Sequence, residues 1–130
     1  MRAAAGADFS GTWKMDAKQS DFAQLPGPSS ITDRVTQQPA EIVINRDRDG
    51  EPVVIHIPLD GSERENTMRG MVSKTRGHLA GDALIVNYDS ARAHSEERWT
   101  KSPDGRILTV KRHLSSPRGD TDQTIVMVRQ

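Results

Sequence analysis

Asp8-Phe9-Ser10-Gly11-Thr12-Trp13-Lys14-Met15-Asp16 sets a Gly-Thr-Trp at the start of a first strand. From there to the end, the chain alternates short β-like runs with turn residues. Asp47-Arg48-Asp49-Gly50 separates Glu41–Arg46 from Glu51–Ile57, and Pro58-Leu59-Asp60-Gly61 leads into Glu63–Arg69. Gly70 precedes Met71–Leu79, and Ala80-Gly81-Asp82 leads into Ala83–Ser90. His94–Lys101 follows Ala91-Arg92-Ala93, and Ser102-Pro103-Asp104-Gly105 opens Arg106–Leu114. Ser115–Asp120 precedes a last run, Thr121–Arg129. With Asp8–Asp16 and Ile31–Gln38, the pattern predicts about ten strands. Only Ala17–Leu25 carries a hint of one or two helical turns.

Hairpin arithmetic identifies the inward face. Across Ser102–Gly105 it sets Trp99 opposite Leu108, Glu97 opposite Val110 and Ser95 opposite Arg112. The next hairpin sets Leu108 near Met127, Val110 near Ile125 and Arg112 near Gln123, while Leu84, Val86 and Tyr88 meet Trp99, Glu97 and Ser95. Across Asp47–Gly50, Ile42 aligns with Ile55 and Ile44 with Val53. Strand side chains alternate faces, so this agreement points to one inner surface. Ile85, Ile107, Val126 and Val128 fall on the other face, and a slip of one residue would exchange the two.

The predicted interior has an apolar end (Trp13, Leu79, Leu84, Trp99, Leu108, Met127) and a polar end (Tyr88, Ser95, Glu97, Arg112 and Gln123, with Thr75 nearby). A dry, closed core does not hold unpaired charge, because its burial is costly. A cavity with water or ligand does. The composition agrees: 34% hydrophobic, 4% aromatic and 28% charged residues are lean for a solid core in a chain of 130. The length is that of one domain, expected over residues 8–130 behind a flexible segment 1–7.

The resemblance rests on two stretches. Phe9-Ser10-Gly11-Thr12-Trp13-Lys14-Met15 resembles the opening strand of the fatty-acid-binding proteins, and its Gly-x-Trp is shared with lipocalins. Glu97-Arg98-Trp99-Thr100-Lys101-Ser102-Pro103-Asp104-Gly105-Arg106-Ile107-Leu108-Thr109-Val110 resembles small bacterial lipocalin-like domains. Both belong to the calycin superfamily. The resemblance implies an all-β, antiparallel, up-and-down calycin-like barrel, with Arg129 stacked on Trp13 at the closed end. It also implies a periplasmic or secreted location, although the first seven residues hold no apolar run long enough for a signal peptide and a cytoplasmic one stays open. Two departures stand out. Ala17–Ser30 is too short and proline-rich for the helical lid of fatty-acid-binding proteins, leaving a short lid or loop. The terminal Val126-Met127-Val128-Arg129-Gln130 lacks their Arg-x-Tyr carboxylate clamp.

The expected function is binding of a small, partly apolar ligand, a carboxylate among the candidates. Tyr88, Ser95, Glu97, Arg112 and Gln123 would meet its polar part, and Leu84, Trp99, Leu108 and Met127 would form the apolar wall. Two alternatives stay open. In an isomerase, lyase or cyclase, Glu97 would be the general acid/base and Arg112 the stabiliser of negative charge. In a non-binding structural module, Glu97 and Arg112 would be a cross-strand ion pair in a filled barrel.

No cofactor and no metal site are expected. The chain has no cysteine, and its four histidines have no ligand spacing and fall outward by parity. Formal net charge is +0 and the few aromatics follow no basic stripe, so no nucleic-acid partner is expected. No serine sits in a Gly-x-Ser-x-Gly elbow, and Arg118-Gly119-Asp120 reads as hairpin chemistry. No apolar run reaches the roughly 20 residues of a membrane span. A monomer or homodimer fits.

Overall fold

The computed structural model describes residues 7–130, so all but Ala7 of the expected flexible segment lies outside the described residues. Ten strands follow one another: β1 (Gly11–Met15), β2 (Ile31–Gln37), β3 (Glu41–Arg48), β4 (Glu51–Pro58), β5 (Arg64–Met68), β6 (Met71–Ala80), β7 (Ala83–Ser90), β8 (His94–Lys101), β9 (Ile107–Ser116) and β10 (Gly119–Arg129). All pairs are antiparallel, and β1 pairs with both β2 and β10, so the meander curls back on itself. The sheet order runs β4-β3-β2-β1-β10-β9-β8-β7-β6-β5, leaving one seam between β4 and β5. The result is a nearly closed, up-and-down barrel.

Two β5 side chains cross the seam: Arg64 Nη1 donates to Glu41 Oε1 at 3.1 Å, and Asn66 reaches the β4 backbone. Asn66 of β5 accepts from the His56 amide at 2.8 Å and donates to the His56 carbonyl at 2.8 Å. It thereby supplies both bonds that a neighbouring strand would. The same amide group donates to Thr75 Oγ1 at 2.9 Å, inside the barrel.

The tightest turns follow from local sequence. At Asp49-Gly50 and Arg69-Gly70 both central residues have positive φ (53° and 88°, 53° and 78°). This is the type I′ geometry whose twist suits a hairpin, and glycine enters it without strain. Because the first turn is only two residues long, Asp47 and Arg48 continue β3. Ile42 therefore pairs with Ile57 and Ile44 with Ile55, correcting the expected register by two residues.

The β8–β9 register also shifts by two. Trp99 pairs with Val110, Glu97 with Arg112 and Ser95 with Leu114. The loop is wider than four residues: Ser102 N donates to Ile107 O at 2.8 Å, and Ile107 N to Ser102 Oγ at 3.0 Å. An even shift preserves parity, so the predicted inner face stands. The β7–β8 and β9–β10 registers are as expected. Inward residues are buried: Leu84, Val86 and Tyr88 on β7, Leu108 and Val110 on β9, Gln123, Ile125 and Met127 on β10.

Ala17–Leu25 forms turns, and no helix occurs among the described residues. The Asp16 carboxylate accepts from the Lys18 and Gln19 amides, and two residues later Asp21 pairs with Thr124 through two backbone bonds. That pairing draws the chain into an extended path before a helix can propagate. It also lays this segment against β10, so outward-facing Val126 is buried while Ile107 stays 37% exposed.

At the closed end, the Trp13 indole donates to Phe9 O at 2.9 Å, and Phe9 meets Trp99 edge-to-face at 5.8 Å. The Arg129 guanidinium lies 4.4 Å from the Trp13 ring centroid, the stacking expected from Gly-x-Trp. Gly11 makes room for it: a Cβ there would stand 2.5 Å from Arg129 Nη1.

Candidate functional site

Three successive strands carry one polar row. Register sets Glu97 (β8) beside Arg112 (β9) and Arg112 beside Gln123 (β10), all on the inner face. Arg112 Nε and Nη2 both donate to Glu97 Oε2, at 2.9 and 2.6 Å, and Nη1 donates to Gln123 Oε1 at 3.2 Å. Gln123 in turn donates to the Phe22 carbonyl at 3.1 Å, tying the row to the segment after β1. The Trp99 indole donates to Glu97 Oε1 at 3.0 Å, so both Glu97 oxygens are engaged.

These partners set the charge of Glu97. Burial alone would push its carboxyl up. The Arg112 guanidinium, the Trp99 indole donor and the more distant Arg46 outweigh burial and hold it below the ordinary carboxylate range. Glu97 is therefore an ionised half of a buried pair.

A second pair faces the interior from β2 and β3, where register sets Asp33 opposite Arg46. Arg46 Nε and Nη2 meet the two Asp33 oxygens at 2.8 and 2.9 Å, a bidentate fork on a carboxylate that is 1% exposed. Burial disfavours the charged Arg46, but Asp33 more than offsets it, and the guanidinium is held above its ordinary value.

Between the pairs lies a cavity of about 340 Å³, walled by Arg46, Ser73, Tyr88, Ser95, Glu97 and Arg112, with Met68, Met71 and Leu114 supplying apolar surface. Burial, then the nearby Glu97, pushes the Tyr88 phenol up, so it is a neutral hydroxyl. That hydroxyl makes no hydrogen bond to the described residues. Ser73 Oγ is the one buried side-chain oxygen or nitrogen among them that lacks a partner. The cavity thus holds two compensated ion pairs and uncommitted hydroxyls.

Of the residues expected at the site, Tyr88, Ser95, Glu97 and Arg112 line this cavity. Gln123 is buried beside Arg112 and holds it. Leu84, Trp99, Leu108 and Met127 are packed into the core at the closed end, so the apolar wall comes from Met68, Met71 and Leu114 instead. Asp33, Arg46 and Ser73 were missed. Their signal was parity: Asp33 alternates with Ile31 and Val35, and Arg46 continues the inward series of Ile42 and Ile44. The histidines are on the outer face: His56 is half-buried at the seam, and His78, His94 and His113 are exposed.

No family model matches this sequence. No curated protein matches it either. Solved structures do resemble it. The zebrafish ileal bile acid-binding protein complexed with cholic acid aligns over 94% of this chain and 98% of its own, at 14% identity and TM-score 0.71. A secretary abundant heat soluble protein from Ramazzottius varieornatus aligns over 96% and 97%, at 11% identity and TM-score 0.77. The fluorescent protein UnaG aligns over 94% and 97%, at 15% identity and TM-score 0.71. With ten strands in meander order, one bridged seam and Arg129 stacked on Trp13, the chain has the calycin barrel fold in its fatty-acid-binding-protein form.

Proposed function

We propose that the protein binds a small, partly apolar molecule in the cavity at the open end of the barrel. The carrying observation is that cavity, about 340 Å³ in volume, with the unpartnered Ser73 hydroxyl on its wall. A hydroxyl buried without a partner is costly unless something else satisfies it. The volume is at the small end of the roughly 300–1,000 Å³ of ligand pockets. Similar barrels include one complexed with cholic acid, which supports a role in holding small molecules.

The interior chemistry narrows the ligand. Arg112 is already neutralised by Glu97, and Arg46 by Asp33. The polar part of the ligand inside the cavity is therefore an uncharged hydroxyl, carbonyl or amide, meeting Ser73, Tyr88 and Ser95. The geometry favours binding over turnover. A general acid/base needs a proton affinity near the working pH, whereas the Arg112 guanidinium and the Trp99 indole hold Glu97 ionised.

Native mass spectrometry and a thermal-shift screen of neutral and acidic lipids and aromatic metabolites test this reading. A ligand selective for the folded state raises the melting temperature. The rise should shrink in Ser95→Leu, whose side chain intrudes on the cavity and removes a hydroxyl from its wall. An empty protein with no shift across the library would leave a non-binding module as the better account.

A further inference from the structure

Two further hollows continue the cavity toward the seam. One of about 210 Å³ shares Arg46, Met68, Arg69 and Arg112 with it and adds Pro28, Ile31 and Ile125 as an apolar throat. A surface groove of about 370 Å³ shares Arg48, Val53 and Arg69 with that throat and runs along β4 and the β5–β6 turn. Arg69 lines all three.

The arginines divide into two classes along this path. Arg46 and Arg112, inside, each hold a carboxylate. Arg48 and Arg69, at the mouth, have no carboxylate within ion-pair distance among the described residues, although Glu51 also borders the groove. Partial burial, and then neighbouring Arg69, hold the Arg48 guanidinium below its ordinary value, with Asp49 opposing and Arg46 and Arg112 adding to the effect. Like charges thus converge on one rim. Arg69 is held there by the left-handed Arg69-Gly70 turn.

We infer that Arg48 and Arg69 form an anion-binding subsite at the mouth, so that the ligand is an amphiphile with its acidic group at the rim and its uncharged body inward. This rests on the cavity-binding reading and adds the ligand's charge and direction. An anion placed deeper would meet Glu97 and two arginines that carboxylates already neutralise. One placed at the rim meets two arginines with donors to spare, in the position that long, forked guanidinium groups recognise best.

The test compares decanoate, decyl sulfate and decanol, three probes with one tail and different heads, by calorimetric titration of the whole chain. Decanoate and decyl sulfate should bind about tenfold or more tightly than decanol, with an advantage that shrinks as salt is added. Arg48→Gln and Arg69→Asn should each remove most of that advantage. Asn tolerates the left-handed turn, and a circular-dichroism spectrum like the parent's reports that each variant is folded. Equal binding of the three probes, or anion binding unmoved by both variants, would overturn the rim subsite while the cavity reading survives. Binding of none of them would overturn both.

Discussion

Arg46 grips Asp33 through Nε and Nη2, at 2.8 and 2.9 Å, on the wall facing the Glu97–Arg112 pair. The interior therefore carries two acids and two arginines as neighbouring pairs, and its charge is balanced before any ligand arrives.

Breaking the first pair should be costly. Asp33→Asn leaves Arg46 as an uncompensated, largely buried cation, and a loss of about 3 kcal/mol is expected in urea unfolding. Replacing both partners, Asp33→Leu with Arg46→Met, should recover most of it, because two apolar groups leave no orphaned charge. A single variant as stable as the parent would show that the pair contributes nothing net.

Glu97 should make stability pH-dependent in a defined direction. Its folded proton affinity lies below its ordinary value of 4.5, so between the two values the unfolded chain binds more protons than the folded one. The stabilisation is complete above about 4.5 and is lost as pH falls through the folded value. Glu97→Gln should flatten that acid limb, and the Trp99 indole N–H resonance should shift in parallel, since that group donates to Glu97. An acid limb identical in both proteins would contradict the assignment.

The seam depends on Asn66. Asn66→Ala removes three hydrogen bonds and leaves the His56 amide and carbonyl without their partner, at a cost of about 2 kcal/mol. Hydrogen exchange should accelerate at the His56 amide far more than in the β9–β10 ladder. Uniform acceleration would mean that the seam opens only with the whole barrel.

Gly11 and Arg129 should be coupled. Arg129→Ala loses the stacking on Trp13, roughly 1 kcal/mol. Gly11→Ala drives a methyl into Arg129 and also strains a φ of 137°. Its cost should therefore be smaller in the Arg129→Ala background, a difference that a double-mutant cycle measures. Strict additivity would place the glycine requirement in the backbone alone.

Much of the fold was legible because its determinants are local. Ala83–Ser90 and His94–Lys101 match the observed strands residue for residue, since alternation and bounding turn residues define them without reference to the rest of the chain. Register was less legible. Whether Asp47 and Arg48 belong to a turn or a strand depends on which of two compatible hairpins packs Ile42 and Ile44 better, and those partners lie on another strand. The site divides the same way. Parity assigned Tyr88, Ser95, Glu97 and Arg112 to the inside, but it does not separate side chains that close-pack from those that border a void. Leu84, Trp99, Leu108 and Met127 were thus expected on a cavity wall and are core.

The sequence by itself determined the strands, the inward face and the barrel class, because turn φ angles and two-residue periodicity are properties of neighbouring residues. Tertiary structure alone decided which arginines are neutralised, where the void lies and how the β4–β5 seam is bridged. Those outcomes depend on distances of a few ångströms between side chains far apart in the chain, and Coulomb attraction, hydrogen bonding and packing all change steeply over that range.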